Sequence, residues 1–174
     1  MTDVDAAQAL LLDSFGRIRD GVAELTDGLD EATATYRPDP GANTIAWLIW
    51  HLSRVEDESI ADLAGAEAVW PRWRERFALP LDDNATGYGM TPEEVGQVRV
   101  SADLLAGYHA EVHEATERYL TGLTTEELGR VVDRNWDPPV TAAVRLVSVV
   151  DDEAMHIGQA GYVKGMAERT SVSG

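Results

Sequence analysis

Val149-Val150-Asp151-Asp152-Glu153-Ala154-Met155-His156-Ile157-Gly158-Gln159-Ala160 sets three consecutive acids inside an apolar helical pattern. Residues four apart share a helix face, so Asp152 and His156 make a carboxylate–imidazole pair able to grip one cation. Three successive acids span about 200° of helix circumference and cannot all reach water. Val149, Val150, Ala154 and Ile157 bracket them, so at least one acid turns toward a partly buried setting, where a carboxylate is costly unless paired or metal-bound. Asp152, one turn before His156, is the best placed of the three. The pair is half a site. The missing ligand is read as His51 in Ile49-Trp50-His51-Leu52, on a second apolar helix far away in sequence. Together the three residues predict a two-histidine, one-carboxylate metal centre inside a helix bundle.

Working outward, the chain reads as four long helices. Thr2 and Asp5 form a capping box, and Leu11, Phe15, Ile18, Val22, Leu25 and Leu29 recur at spacings of four and three, predicting a first amphipathic helix. Gly28 and the run Arg37-Pro38-Asp39-Pro40-Gly41-Ala42-Asn43 end it, with Asn43 available as the next N-cap. A second helix is expected from about Thr44 to Leu63, with Ile45, Leu48, Leu52, Val55 and Ser59 on one face. Residues 66–100 are rich in Pro, Gly and aromatic side chains, and a connection of this length between bundle helices calls for a function. They read as an ordered flap over one end of the bundle, with a short helix opened by Thr91-Pro92-Glu93-Glu94. The third helix is expected from Ser101 to about Leu120, with Leu104, Tyr108, Val112, Ala115 and Tyr119 buried. A capping box at Thr124 follows, and then a fourth helix from Val140 or Thr141 to about Ala167, with Val144, Val147, Val150, Ala154, Ile157 and Gly161 facing the core. No strand is convincing. The expected architecture is all-α, a four-helix bundle with a long crossover between its second and third helices, in one domain over residues 1–174.

Composition narrows the function. Fourteen Lys+Arg against thirty-one Asp+Glu give a net charge of −17, and Lys164 is the only lysine, so nucleic-acid and anionic-membrane partners are poor expectations. There is no cysteine, which removes thiolate nucleophiles, Cys-based zinc sites and disulfides. The acidic start Met1-Thr2-Asp3-Val4-Asp5 lacks a signal peptide's basic region, and no apolar run spans a bilayer; a cytoplasmic protein is expected. No Gly-rich phosphate loop, nucleophile elbow or serine triad is evident.

Among the four histidines, His109 and His113 rival the principal site. Their spacing suits a metal, but both are rotated about 100° from Tyr108 and Val112, and Glu111 and Glu114 surround them. They read as a surface pair. Glu56 and Glu58 are weaker carboxylate candidates, and Gln159 is placed to support the site from outside.

Asn43-Thr44-Ile45-Ala46-Trp47-Leu48-Ile49-Trp50-His51-Leu52, followed late in the chain by Asp152-x-x-x-His156-x-x-Gln159, resembles the DinB-like superfamily of four-helix-bundle metalloproteins, and more narrowly its actinobacterial mini-circle-type branch. The resemblance runs from the first helix to Lys164-Gly165-Met166. It implies a divalent metal held by His51, Asp152 and His156, often in a homodimer, and relatives that include mycothiol-, bacillithiol- and glutathione-dependent transferases and isomerases. Asp152 stands where many members carry histidine. The resemblance implies zinc or nickel, and the carboxylate shifts preference toward a harder ion. The function expected is a metal-dependent enzyme acting on a small-molecule thiol, with mycothiol as cosubstrate, and an electrophile. Trp50, Trp73, Tyr88 and Trp136 would wall its pocket, and Arg54, Arg72, Arg74 and Arg145 are the few cations for an anionic thiol. The alternative is a non-catalytic dimeric bundle using the same residues structurally.

Overall fold

Eight helices among the described residues follow from local signals that the chain spells out. The computed structural model describes residues 2–172. Helix α1 (Asp3–Thr26) starts at the Thr2 cap, whose hydroxyl accepts from Asp5 N–H while the Asp5 carboxylate accepts from Thr2 N–H. After the short α2 (Glu31–Ala34), α3 (Ile45–Ala64) is capped by Thr44, which accepts from Trp47 N–H, and not by Asn43. It stops at Gly65 in the left-handed region. The crossover holds α4 (Trp70–Phe77) and α5 (Pro92–Val95), the latter with the expected Thr91–Glu94 capping box but ending short of Val98. Then come α6 (Ala102–Thr121), α7 (Thr125–Gly129), and α8 (Ala142–Val172). Between α7 and α8 the chain makes a small antiparallel ribbon of β1 (Val131–Asp133) and β2 (Val140–Thr141), which the sequence pattern had not suggested.

Helix α3 packs on α6 and α8, and α1 packs on the same two, so α1 and α3 are diagonal partners in a four-helix bundle. Helix α4 leans on α6, and Val69, Trp70, Trp73, Phe77, Val95 and Val98 of the crossover enter the larger apolar cluster with Ile45, Leu48, Trp50, Leu52, Leu105 and Tyr108. The crossover is therefore an ordered covering of the bundle.

A second apolar cluster, built on Phe15, Ile60, Leu63, Leu120, Leu146 and Val149, fills the other end. On each of α3, α6 and α8 the two clusters are separated by a stretch where buried side chains turn polar: Ser53, Arg54, Glu56 and Asp57; His113 and Thr116; Glu153. This band is the departure from the hydrophobic pattern that matters most.

It explains two corrections. On α8 the buried row is Ala142, Leu146, Val149, Glu153, Ala160, Val163 and Ala167, whereas Val144 and Val147 are exposed, as are Ala154 and Gly161. A glutamate sits in the core row, so counting apolar residues selects the neighbouring row. On α6 both His109 and His113 are buried, not at the surface. That helix must satisfy α1 and α3 at once, and its buried face widens to Leu105, Tyr108, His109, Val112, His113, Thr116 and Leu120.

Candidate metal centre

His51 lies in the first half of α3, where every side chain from Thr44 to Arg54 is buried because the crossover covers the face that the bundle leaves open. The ring stacks on Trp47, one turn earlier, at 4.6 Å between centroids and 17° between planes. Its Nδ1 is 2.5 Å from the carbonyl oxygen of Thr86 in the crossover. Gly87 makes this approach possible. A Cβ there would stand 2.5 Å from His51 Nδ1, and its φ of +101° is one that side chains rarely adopt.

On α8, His156 Nδ1 is 2.6 Å from the carbonyl oxygen of Asp152 and 3.3 Å from that residue's Oδ2. Both imidazoles thus donate Nδ1–H to a backbone carbonyl, which selects the tautomer whose Nε2 carries a lone pair. This is the arrangement that orients histidines as metal ligands. The rings of His51 and His156 meet edge to face at 4.7 Å, and one ligand atom from each of His51, Asp152 and His156 falls within 4.8 Å of the others.

The electrostatics set the two imidazoles apart: burial would lower His156, but its hydrogen bonds to Asp152 and the charge there raise it, so without an ion it is the cation that Asp152 faces. Burial pushes the His51 imidazole below its ordinary pKa, against the opposing pull of the Thr86 carbonyl, so it is neutral and ligand-ready. Burial alone would raise the Asp152 carboxyl, but the close His156 imidazole and its charge hold it below the usual range. Asp152 Oδ2 is sequestered from solvent with no hydrogen bond of good geometry, only the 3.3 Å approach of His156. A divalent ion meets the requirements of this donor set of two nitrogens and a carboxylate oxygen.

Such a set of ligands and anchors is expected of a bundle metalloprotein, and the comparisons with known proteins bear on the family directly. The chain matches the family described as Mycothiol-S-transferase over residues 10–167. It belongs to that family. A crystal structure described as that of a conserved protein from Enterococcus faecalis shares the fold with a TM-score of 0.85 and 36% identity, covering 94% of this chain and 96% of that one. No curated protein matches the chain. The mycothiol S-transferase family and the DinB-like helical bundle are those that the resemblance implied.

The supporting residues are placed differently from the expectation. Gln159 is exposed, and the carbonyls of Thr86 and Asp152 hold the two rings instead. The four aromatic residues do not gather around one pocket. Trp50 and Trp73 are core residues, with Trp73 Nε1 donating to Glu111. Trp136 is exposed between β1 and β2. Tyr88, 93% exposed, stands on the wall of a cavity of about 410 Å³ that also takes in Thr86, Gly87 and Met90, beside the loop that holds His51.

The arginines expected for an anionic thiol are engaged with acids. Arg54 is sealed inside, 3.6 Å from Asp57 and 2.7 Å from Glu58, and it donates to the Ala85 carbonyl. Arg72 pairs with Glu111, Arg74 with Asp83, and Arg145 lies 3.9 Å from Asp133.

Sequence reasoning missed the tie between helix and crossover. Asp57 accepts from Val69 N–H, Trp70 N–H and the Tyr108 hydroxyl, each at 2.7 Å. It also passed over a second group, Glu56, His109 and Glu153, whose ligand atoms lie within 4.8 Å of one another. The available signal was the triple acid of α8, which leaves Glu153 turned inward when Asp152 faces α3.

Proposed function

We propose that the protein is a divalent-metal-dependent S-transferase that activates a low-molecular-weight thiol of the mycothiol class. Membership of the mycothiol S-transferase family supports the thiol and the transfer chemistry. The observation that carries the metal is the convergence of His51, Asp152 and His156 with both Nδ1 atoms committed to backbone carbonyls. A divalent ion bound there would supply Lewis acidity that lowers the pKa of a thiol and presents it as a nucleophile.

The protein's own groups do the rest. His51 and His156 offer Nε2 atoms and Asp152 an oxygen, which between them cover part of a coordination sphere and leave room for a ligand from solution. The Thr86 carbonyl and the stacked Trp47 ring fix the His51 plane, and the Asp152 carbonyl fixes that of His156. The exposed ring of Tyr88 and the cavity beside it, lined by both polar and apolar groups, would receive an electrophile or the body of a thiol beside the loop that anchors His51.

Two measurements test the reading. Metal analysis of purified wild-type protein and His156→Ala is expected to show loss of bound divalent ion in the variant, by more than the roughly 10–100-fold that follows loss of a ligand's outer partner. Turnover of an electrophile panel with mycothiol, bacillithiol and glutathione is expected to require both the ion and His51. Unchanged metal content in His156→Ala removes the site. Metal binding without turnover for any thiol favours the non-catalytic bundle.

A further inference from the structure

Beyond the His51 site, a second group lies in and beside the polar band. Glu56 from α3, His109 from α6 and Glu153 from α8 are 0%, 1% and 0% exposed. With both carboxyls ionised, four of their polar atoms have no hydrogen-bond partner: Glu56 Oε2, His109 Nε2 and both carboxylate oxygens of Glu153. Buried polar atoms are almost always paired, so orphans on three side chains that each bring a ligand atom within 4.8 Å of the others call for a cation or a shared proton.

The remaining atoms are held as a ligand set is held. The Thr116 hydroxyl donates to Glu56 Oε1 at 2.5 Å, leaving Oε2 to turn inward, 3.6 Å from His109 Nδ1. Ser53, whose hydroxyl donates to the Ile49 carbonyl at 2.8 Å, stands 3.2 Å from the same Nδ1. These two hydroxyls support Glu56 and His109 from outside the cluster.

We infer that Glu56, His109 and Glu153 form a second metal site, distinct from the first, that takes a divalent transition ion preferring oxygen and imidazole donors, such as manganese, ferrous iron or zinc.

Charge favours this occupant. Two carboxylates and a neutral imidazole present two negative charges in a water-free band, and one divalent ion cancels them. The three donors suit O/N-preferring ions, and there is no thiolate in the chain to favour soft ones. Among the described residues, neither arginine near the band serves. Arg54 is committed to Asp57 and Glu58, and Arg19 to Asp20, with Glu117 at 3.8 Å. Without a cation the cluster must take up protons. In that state one protonated carboxyl donates to the other, and the pair is a proton-sharing dyad. Asp152 and Glu153, neighbours in sequence, thus face different clusters, and α8 carries a ligand for each.

The test is a count of bound metal. The site is sealed, so protein is unfolded in chelator, refolded with Mn²⁺, Fe²⁺, Zn²⁺ or Co²⁺ in turn, and freed of loose ions before elemental analysis. Two equivalents per chain are expected for the wild type with at least one of these ions, one for Glu153→Gln, one for His156→Ala, and none for the two combined. Glu56→Gln, whose amide oxygen still accepts from Thr116, is expected to lose the same equivalent as Glu153→Gln, and it decides the matter if Glu153→Gln does not refold. Wild-type stoichiometry retained in both glutamine variants overturns the second site. So does a wild type that binds a single equivalent abolished by His156→Ala, which marks the cluster as the proton-sharing dyad. If His156→Ala keeps both equivalents while Glu153→Gln loses one, the second site stands and the first falls.

Discussion

The two polar clusters share α3 and α8 yet are assembled in different ways. His51, Asp152 and His156 are completed by the crossover: the Thr86 carbonyl and the absent side chain of Gly87 set the plane of His51. Glu56, His109 and Glu153 are completed by α6, and among the described residues the hydroxyls of Ser53 and Thr116 support them from outside, with no hydrogen bond from a loop. The first cluster is half open, with Asp152 and His156 partly exposed, while the second lies wholly inside. A loop-completed site can admit and release a small molecule, whereas a helix-completed one holds what the fold encloses. The difference predicts that changes in the crossover will disturb the first cluster and leave the second intact.

The largest effect is expected from Arg54→Met. The guanidinium is fully buried and joins four things: Asp57 on its own helix, Glu58 one turn on, the Tyr108 hydroxyl of α6, and the Ala85 carbonyl of the crossover. Its removal leaves the buried Asp57 without its counter-ion, at a cost of about 3–5 kcal/mol. For a chain of this size that corresponds to a melting temperature lower by roughly 10 °C, measurable by thermal unfolding. Since Ala85 precedes Thr86, metal at the first cluster should weaken too. Equal weakening at both clusters would break the distinction between them.

Gly87→Ala is expected to act more narrowly. The methyl group would collide with His51 Nδ1 and meet Trp47 at 3.1 Å, so the loop must withdraw the Thr86 carbonyl. Loss of such an outer partner lowers metal affinity by about 10–100-fold, to be read by competition with a chromogenic chelator. Gly89→Ala is the control. Its φ of +72° carries similar backbone strain, but nothing lies within 4 Å of the added atom, so affinity should hold.

How far these regions were readable in the chain differs for the same physical reason. Capping residues announce helices locally, and Thr2, Thr91, Ser101 and Thr124 each mark a helix start that the structure contains. The meeting of His51 with Asp152 and His156 was legible because each lies in a strongly apolar helix, and apolar faces must share a core. The second cluster was hidden by its own chemistry. A buried glutamate is indistinguishable in a hydrophobicity pattern from an exposed one, so Glu153 made α8 read one row out of phase. His109 and His113 were assigned to water by Glu111 and Glu114, but Glu111 is half-buried and accepts from Arg72 and from Trp73 Nε1 at 2.6 Å. Likewise, no local pattern shows that Asp57 will receive two backbone N–H groups from a segment twelve and thirteen residues on.

Smaller effects probe the sealed cluster. Thr116→Val is nearly isosteric and removes the one donor to Glu56 Oε1 inside a fully buried setting. The expected cost is about 1–2 kcal/mol by chemical denaturation, because an acceptor is left unpaired. Metal at the second cluster should weaken while the first keeps its affinity, the inverse of the Gly87→Ala result. Thr116→Ser restores the hydroxyl and should recover most of the loss.

The smallest change addresses the frame that both clusters share. Thr44 caps α3, accepting from Trp47 N–H at 3.0 Å, and α3 carries His51 and Glu56 alike. Thr44→Ala is expected to cost about 1 kcal/mol, the ordinary value of a helix cap, seen as a small shift of the denaturation midpoint. The helix is pinned elsewhere along its length, by Asp57 to the crossover and by Arg54 to Ala85, so fraying its first turn should not move His51 relative to α8. Metal affinity at both clusters should therefore stay at the wild-type level. Selective loss at the first cluster would mean that the stack of Trp47 on His51, which begins in that first turn, matters more to the ring's orientation than the Thr86 carbonyl does.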